Sequence, residues 1–257
     1  MKRILLFGAL FILLLPSSRA GAETLIFNTQ DFKPYSYEAN GVVSGPAADI
    51  IRRVCENMDS ACSFRLLPWP RATHEVRTGE AHAMFVIGWN RERSQSLNFS
   101  PPLFVAEYGF FVRKDNPLAF KEVNDIKGYT VCVYGPSNTS INLEMIKKEI
   151  KDLTIEMTPQ DESAFKKLSG RQSIDAVYSN RDVGYKLIEQ LALTNIRYSG
   201  CHLKVKYYIG FSKQFNDNAV VDRFNKTYLR LYKSGSIQEL LKQYAMKPAP
   251  IEKQSLP

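Results

Sequence analysis

Two arginines, Arg91 and Arg93, follow the apolar run AMFVI in the stretch GWNRERSQSLNFSPP, residues 88–102. The apolar run reads as a buried strand, and the arginines fall in a short loop at its carboxyl end. A guanidinium is a planar fork that donates two parallel hydrogen bonds, the side-chain geometry best matched to a carboxylate. In α/β sheets ligands sit outside the carboxyl ends of strands, so the place suits capture of an anion. The plainer reading is an ion pair with Glu92 or another nearby acid, which adds little to stability when exposed. A second anion-holding pattern is GPSNTS, Gly135 to Ser140. A glycine turn feeding a helix presents unpaired backbone N–H groups and the positive end of the helix dipole. Ser137, Asn138 and Thr139 are its polar contacts, although ordinary helix capping uses the same residue types.

Catalytic chemistry is less well provided for. His74, Glu75 and Glu107 could serve as acids or bases, but no Ser-His-Asp pattern, nucleophile elbow or metal motif is present. The three histidines are dispersed and the cysteine spacings are not those of a zinc module, so neither metal nor other cofactor is expected.

The elements that must position these residues alternate between strand and helix, which defines an α/β protein. TLIFNT, CSFRLLP and AHAMFVI read as strands, separated by helices over AADIIRRVCENM and RATHEVRTG. In the first of these helices Ala47, Ile50, Ile51 and Val54 share one face. EYGFFVRK, YTVCVYG, LTIEMT and SIDAVYS continue as strands, with helices over SNTSINLEMIKKEIKDL, DESAFKKLSG and RDVGYKLIEQLA. NIRYSG and VKYYIGFSK read as two late strands, and two amphipathic helices separated by Gly235 close the chain.

The N-terminus has the layout of a secretory leader: Lys2 and Arg3, an apolar run from Ile4 to Leu15, and a small-residue site at Ala20-Gly21-Ala22. Cleavage after Ala22 is expected, giving an exported, soluble chain from Glu23 with no direct membrane insertion. Loss of Lys2, Arg3 and Arg19 lowers the formal charge from +8 to +5. That excess is scattered and lacks an aromatic-basic ladder, so nucleic acid is not an expected partner. The four cysteines, Cys55, Cys62, Cys132 and Cys201, suggest disulfides in an exported chain. Cys55 and Cys62 are close and lie where a helix ends and turns, and pairing them leaves Cys132 with Cys201. Each bridge contributes ~2–4 kcal/mol.

The segments FKPYSYEANGVVSGPAADI, WPRATHEVRTGEAHAM, RERSQSLNFSPPLF, NDIKGYTVCVYGPSNTS and SIDAVYSN, in this order, resemble the family 3 periplasmic solute-binding proteins. That group mostly captures polar amino acids for ABC importers. The resemblance covers nearly all of the exported chain. It implies a two-lobed, type II periplasmic binding protein fold, with the ligand cleft between lobes joined by two crossing strands. Residues 23–105 and 211–257 would form lobe 1, residues 106–210 lobe 2, with hinges near Phe104–Glu107 and Val205–Ile209. It also implies a monomer that hands a small polar ligand to a membrane permease.

The resemblance assigns Arg93, six residues before Phe99, as the carboxylate-binding arginine, and leaves Arg91 to the surface. It places Phe32 and Trp69 as aromatic walls and Gly88 in the loop that offers backbone groups to the ligand. Pro68 and Pro70 stiffen the Trp69 loop. One departure stands out. Amino-acid binders place an aspartate after the late strand to pair with the ligand ammonium, and here that position is Asn180, with Asp182 as a substitute. An amide does not neutralise a buried cation. The expected function is periplasmic capture of a small carboxylate-bearing ligand, an amino acid or related metabolite. The alternatives are an exported lyase of the cyclohexadienyl dehydratase type on the same fold, or a ligand-sensing partner of a signalling receptor.

Overall fold

The computed structural model describes residues 24–170, 173–215 and 218–251. The expected leader, residues 1–22, lies outside the described residues. The chain begins with β1 (Leu25–Thr29), a small hairpin of β2 (Tyr37–Ala39) and β3 (Val42–Ser44), α1 (Pro46–Glu56), β4 (Cys62–Leu66), α2 (Trp69–Thr78) and β5 (Ala83–Gly88). Pro46 sits in the first turn of α1, where its missing N–H costs nothing, and the helix buries Ala47, Ile50, Ile51 and Val54. Gly79, at φ 84°, ends α2 in the left-handed conformation that glycine adopts without strain. The GWNRERS loop is not a loop throughout: Arg91–Ser96 forms a short helix, α3, because the Asn90 side chain accepts the Arg93 backbone N–H at 2.8 Å. β6 (Leu97–Phe99) follows.

A second βαβαβ unit repeats the plan. After β7 (Phe104–Arg113) come β8 (Thr130–Tyr134), α4 (Asn138–Glu149), β9 (Thr154–Thr158), α5 (Asp161–Ser169), β10 (Ala176–Asn180) and α6 (Arg181–Gln190). The chain then runs through β11 (Ile196–Ser212), α7 (Asn218–Lys233) and α8 (Ser236–Lys242), and both final helices pack on α1. The expected pair of late strands is therefore one strand of 17 residues. The intervening Cys201–Lys204 segment stays extended, accommodated by register shifts at Tyr198/Gly200 and Cys201/Leu203.

The strands form one sheet in the order β4-β1-β5-β11-β7-β10-β8-β9. In each half the first strand lies centrally, flanked in parallel by the second and third: β4-β1-β5 on one side, β10-β8-β9 on the other. Each half therefore has a point where the winding reverses, between β1 and β5 and between β8 and β10. The halves are joined by β7 and β11, antiparallel from Phe104↔Tyr207 to Arg113↔Ile196. The principal core runs through both halves, from Phe27, Ile50 and Phe85 to Phe110, Val131 and Tyr178.

Cys55 and Cys62 form a disulfide with Cα atoms 6.3 Å apart, pinning the end of α1 to the start of β4. The expected Cys132–Cys201 bridge is absent, and both thiols are free. Cys132 lies on β8 and Cys201 on β11, with β10 and β7 between them, so three strand spacings, about 14 Å, separate the two. A disulfide spans less than half of that.

Candidate functional site

The carboxyl ends of the parallel strands of both halves meet at one cavity. From the first half come Gln30 and Phe32 after β1, Trp69 at the start of α2 after β4, and Gly88 and Arg93 after β5. From the second come Tyr134 at the end of β8, Ser137, Asn138 and Thr139 beyond it, Asp161 after β9, and Ser179 and Asn180 at the end of β10. Tyr108 and Tyr207, on the two joining strands, also line it, with the Tyr207 hydroxyl donating to that of Tyr108 at 3.2 Å. The inner cavity measures about 40 Å³, room for a few waters. It shares Gln30, Phe32, Trp69, Tyr134 and Asp161 with an outer chamber of about 760 Å³.

All eight residues singled out from the sequence line the inner cavity, but they differ in what they have left to offer. Arg93 is half-buried, its Nη1 donates to the Gly88 carbonyl at 2.8 Å, and its guanidinium lies 5.2 Å from the Trp69 ring centroid. It forms no ion pair with any described carboxylate, and burial pulls its pKa below the usual arginine range. The stacked ring orients the fork and leaves further N–H groups unspent. Arg91 is exposed. Gly88 approaches the other half closely, since a Cβ there would stand 2.6 Å from Asn138 Nδ2. Phe32 stacks on Tyr35 with centroids 5.8 Å apart.

Ser137 caps α4, accepting the Ser140 N–H at 3.1 Å, and shares a 2.6 Å hydrogen bond with the Thr139 hydroxyl. Asn180 is fully committed: Oδ1 accepts the backbone N–H groups of Asp182 and Val183, while Nδ2 donates to Tyr207. It lines the wall, but as the N-cap of α6 and not as a free acceptor. Asp182 turns away from the cavity, taking the Tyr35 hydroxyl at 2.7 Å and Arg181 Nε at 3.3 Å.

The residue that sequence reasoning missed is Asp161, among the described residues the only acid lining the inner cavity, as Arg93 is the only base. Its Oδ1 accepts from Ser179 Oγ at 2.9 Å, and no cation partners it. Burial pushes its pKa from 3.8 to about 6, and the Ser179 hydrogen bond pulls back only in part. An acid at the first position of a helix reads from sequence as ordinary dipole pairing. Only its place after β9 could have raised it above that. Val86, also in the wall, sits at φ 61°, where β5 bulges against Tyr208 and Ile209. A β-branched residue in that region is strained by about 1–3 kcal/mol, as is common beside binding sites.

The acid–base candidates lie elsewhere. His74 is exposed on α2, Glu75 is buried under Arg71 and Arg65 with Asn28, and Glu107 pairs with Arg181 at 2.8 Å. Among the described residues no group of His, Cys, Asp and Glu could hold a metal, and no helix is long and apolar enough to cross a membrane.

Two α/β units whose strand ends meet over one cleft have the architecture of a solute-binding protein. Residues 25–247 match the bacterial extracellular solute-binding proteins, family 3, and the chain belongs to that family. It is 27% identical over 216 residues to a probable amino-acid-binding protein, YxeM, of Bacillus subtilis (strain 168), covering 82% of this chain and 79% of the relative. It is 20% identical to an arginine-binding periplasmic protein of Mannheimia haemolytica, over 86% of this chain and 90% of the relative. In fold it is similar to a histidine kinase sensor domain that resembles periplasmic binding proteins. The TM-score is 0.78 at 21% identity, with 88% of this chain and 97% of that one covered. The architecture is the two-lobed type II periplasmic binding protein fold.

Proposed function

We propose that this chain is the periplasmic capture component of an ABC importer, closing on a small polar ligand that bears a carboxylate, an amino acid or a related metabolite. The observation that carries this reading is Arg93: half-buried in the cleft, stacked on Trp69, and without a carboxylate of its own among the described residues. Residues 24–105 and 211–251 act as lobe 1 and residues 106–210 as lobe 2. The segments Phe104–Glu107 and Val205–Ile209, which pair from Phe104↔Tyr207 to Ala106↔Val205, serve as the hinge between them. Contacts to the ligand from both lobes exist together only in the closed form, so binding shifts the equilibrium toward closure. The protein works as an exported monomer after loss of its leader, and a membrane permease recognises the closed shape. The curated relatives it resembles are named as binding proteins, in keeping with capture in place of turnover.

Calorimetric titration with a panel of amino acids and small carboxylic acids tests this. At least one should bind without being consumed, and Arg93→Ala should weaken it by about 2–5 kcal/mol, as when one partner of a buried charge pair is removed. Unchanged affinity in Arg93→Ala, or product formation in the cell, would defeat the reading.

A further inference from the structure

We infer that Asp161 receives a cationic nitrogen of the ligand, so that the cleft selects an α-amino acid zwitterion through Arg93 and Asp161 rather than through the Asn180 position. This deepens, and rests on, the proposal that Arg93 holds a ligand carboxylate.

Geometry carries the assignment. Among the described residues, Asp161 is the only acid in the wall of a cavity whose only base is Arg93. Its Oδ1 takes one hydrogen bond, from Ser179, and Oδ2 has no partner among the described residues. Asp161 is half-buried, and a carboxylate in a cavity wall with one neutral donor and no cation keeps its charge available for a partner. Its effect reaches Tyr108 and Tyr134 in the same wall, both of which it pushes upward after burial, and neither supplies a positive charge. The nearby cations are already engaged: Lys33 with Asp31 at 3.8 Å and Lys186 with Glu189 at 2.7 Å.

The small size of the cavity adds a constraint. Both charges line a space of about 40 Å³, so the ligand groups that meet them are close together, as on a single α-carbon. The rest of the ligand points into the outer chamber past Trp69 and Tyr134, which line both spaces. Asn180 has no role of this kind, because its oxygen caps α6 and its amide holds Tyr207. The acid has in effect moved from the end of β10 to the start of α5, next to it across Ser179.

The experiment compares wild type and Asp161→Asn by titration with the tightest-binding L-amino acid of the panel and with its des-amino analogue, the same carboxylic acid lacking the α-ammonium. Wild type should prefer the amino acid by at least about 30-fold, the scale of a buried charge pair. In Asp161→Asn that ratio should fall below about threefold, with affinity for the des-amino acid equal to or above that of wild type. Asp161→Asn combined with Asn180→Asp, which returns an acid to the neighbouring strand end, should recover part of the preference. A ratio retained in Asp161→Asn, or absent in wild type, overturns the assignment while leaving carboxylate capture at Arg93 standing. Failure of wild type to bind any carboxylate defeats the parent proposal instead. Circular dichroism reports whether Asp161→Asn is folded; if it is not, Asp161→Ser is held to the same ratio.

Discussion

An acid kept for its ligand should destabilise the protein when the ligand is missing, and Asp161 allows this to be measured. Its pKa rises from 3.8 to about 6 in the folded protein, chiefly through burial. The folded state therefore holds a proton that the unfolded chain releases. No penalty exists below pH ~4; it grows as pH rises toward 6 and is complete above that. A shift of this size corresponds to about 3 kcal/mol, and parting of the lobes would relieve a share of it. Asp161→Asn preserves the acceptor for Ser179 and removes the charge. In ligand-free protein at pH 8 it should stabilise by about 1–3 kcal/mol, a rise in Tm on the order of 5 °C. At pH 4 the two proteins should melt together. The groups around Asp161, namely Glu162 beside it on α5, Tyr134 on β8, Tyr108 on β7 and Arg93 across the cavity, are the same in both proteins, so the difference between the two pH values follows the Asp161 charge. Differential scanning calorimetry at the two pH values is the assay. A destabilised variant at pH 8, or an equal difference at both pH values, would refute the reasoning.

Two further outcomes are expected. Tyr35→Phe removes the 2.7 Å hydrogen bond that ties the first half to Asp182 of the second, while keeping the buried ring. The closed form should lose about 1.5–3 kcal/mol, seen as faster ligand release by stopped flow, and an unchanged release rate would show that the bond does not hold the lobes together. In the cysteines, thiol titration of the unfolded, unreduced chain should find two free groups, from Cys132 and Cys201. Replacing Cys55 and Cys62 together with serine should cost about 2.5 kcal/mol in urea unfolding, the figure for so short a loop. Finding no free thiol would restore the bridge between Cys132 and Cys201.

Features with a local cause were legible in the sequence. The apolar face of α1, the glycine stop of α2 and the cap of α4 each depend on residues a few positions apart, and each appears where the pattern put it. The resemblance drew the cleft residues together because their order along the chain mirrors the strand ends that carry them. What stayed hidden depends on strand order. Nothing local says that β7 and β10 separate Cys132 from Cys201, or that two late strand segments fuse into β11 around Cys201–Lys204. Asp161 was hidden for the same reason. Its meaning comes from lying across a cavity from Arg93, on the opposite half of the sheet.

The closed form is thus balanced between opposing terms. The Tyr35–Asp182 hydrogen bond, at 2.7 Å, and the longer one from Asn90 Nδ2 to Asn138 Oδ1, at 3.5 Å, join the two halves. Against them stand a guanidinium and a carboxylate, each desolvated and neither neutralised by the protein. Solvation of these two charges favours opening, and a zwitterion that pairs with both removes that drive at once. A ligand with one matching charge leaves the other exposed to the same penalty. Selectivity and closure then share one origin: the energy that discriminates between ligands is the energy that lets the lobes stay shut. The proposed capture component needs that coupling if a permease is to meet a closed shape only when the cleft is filled.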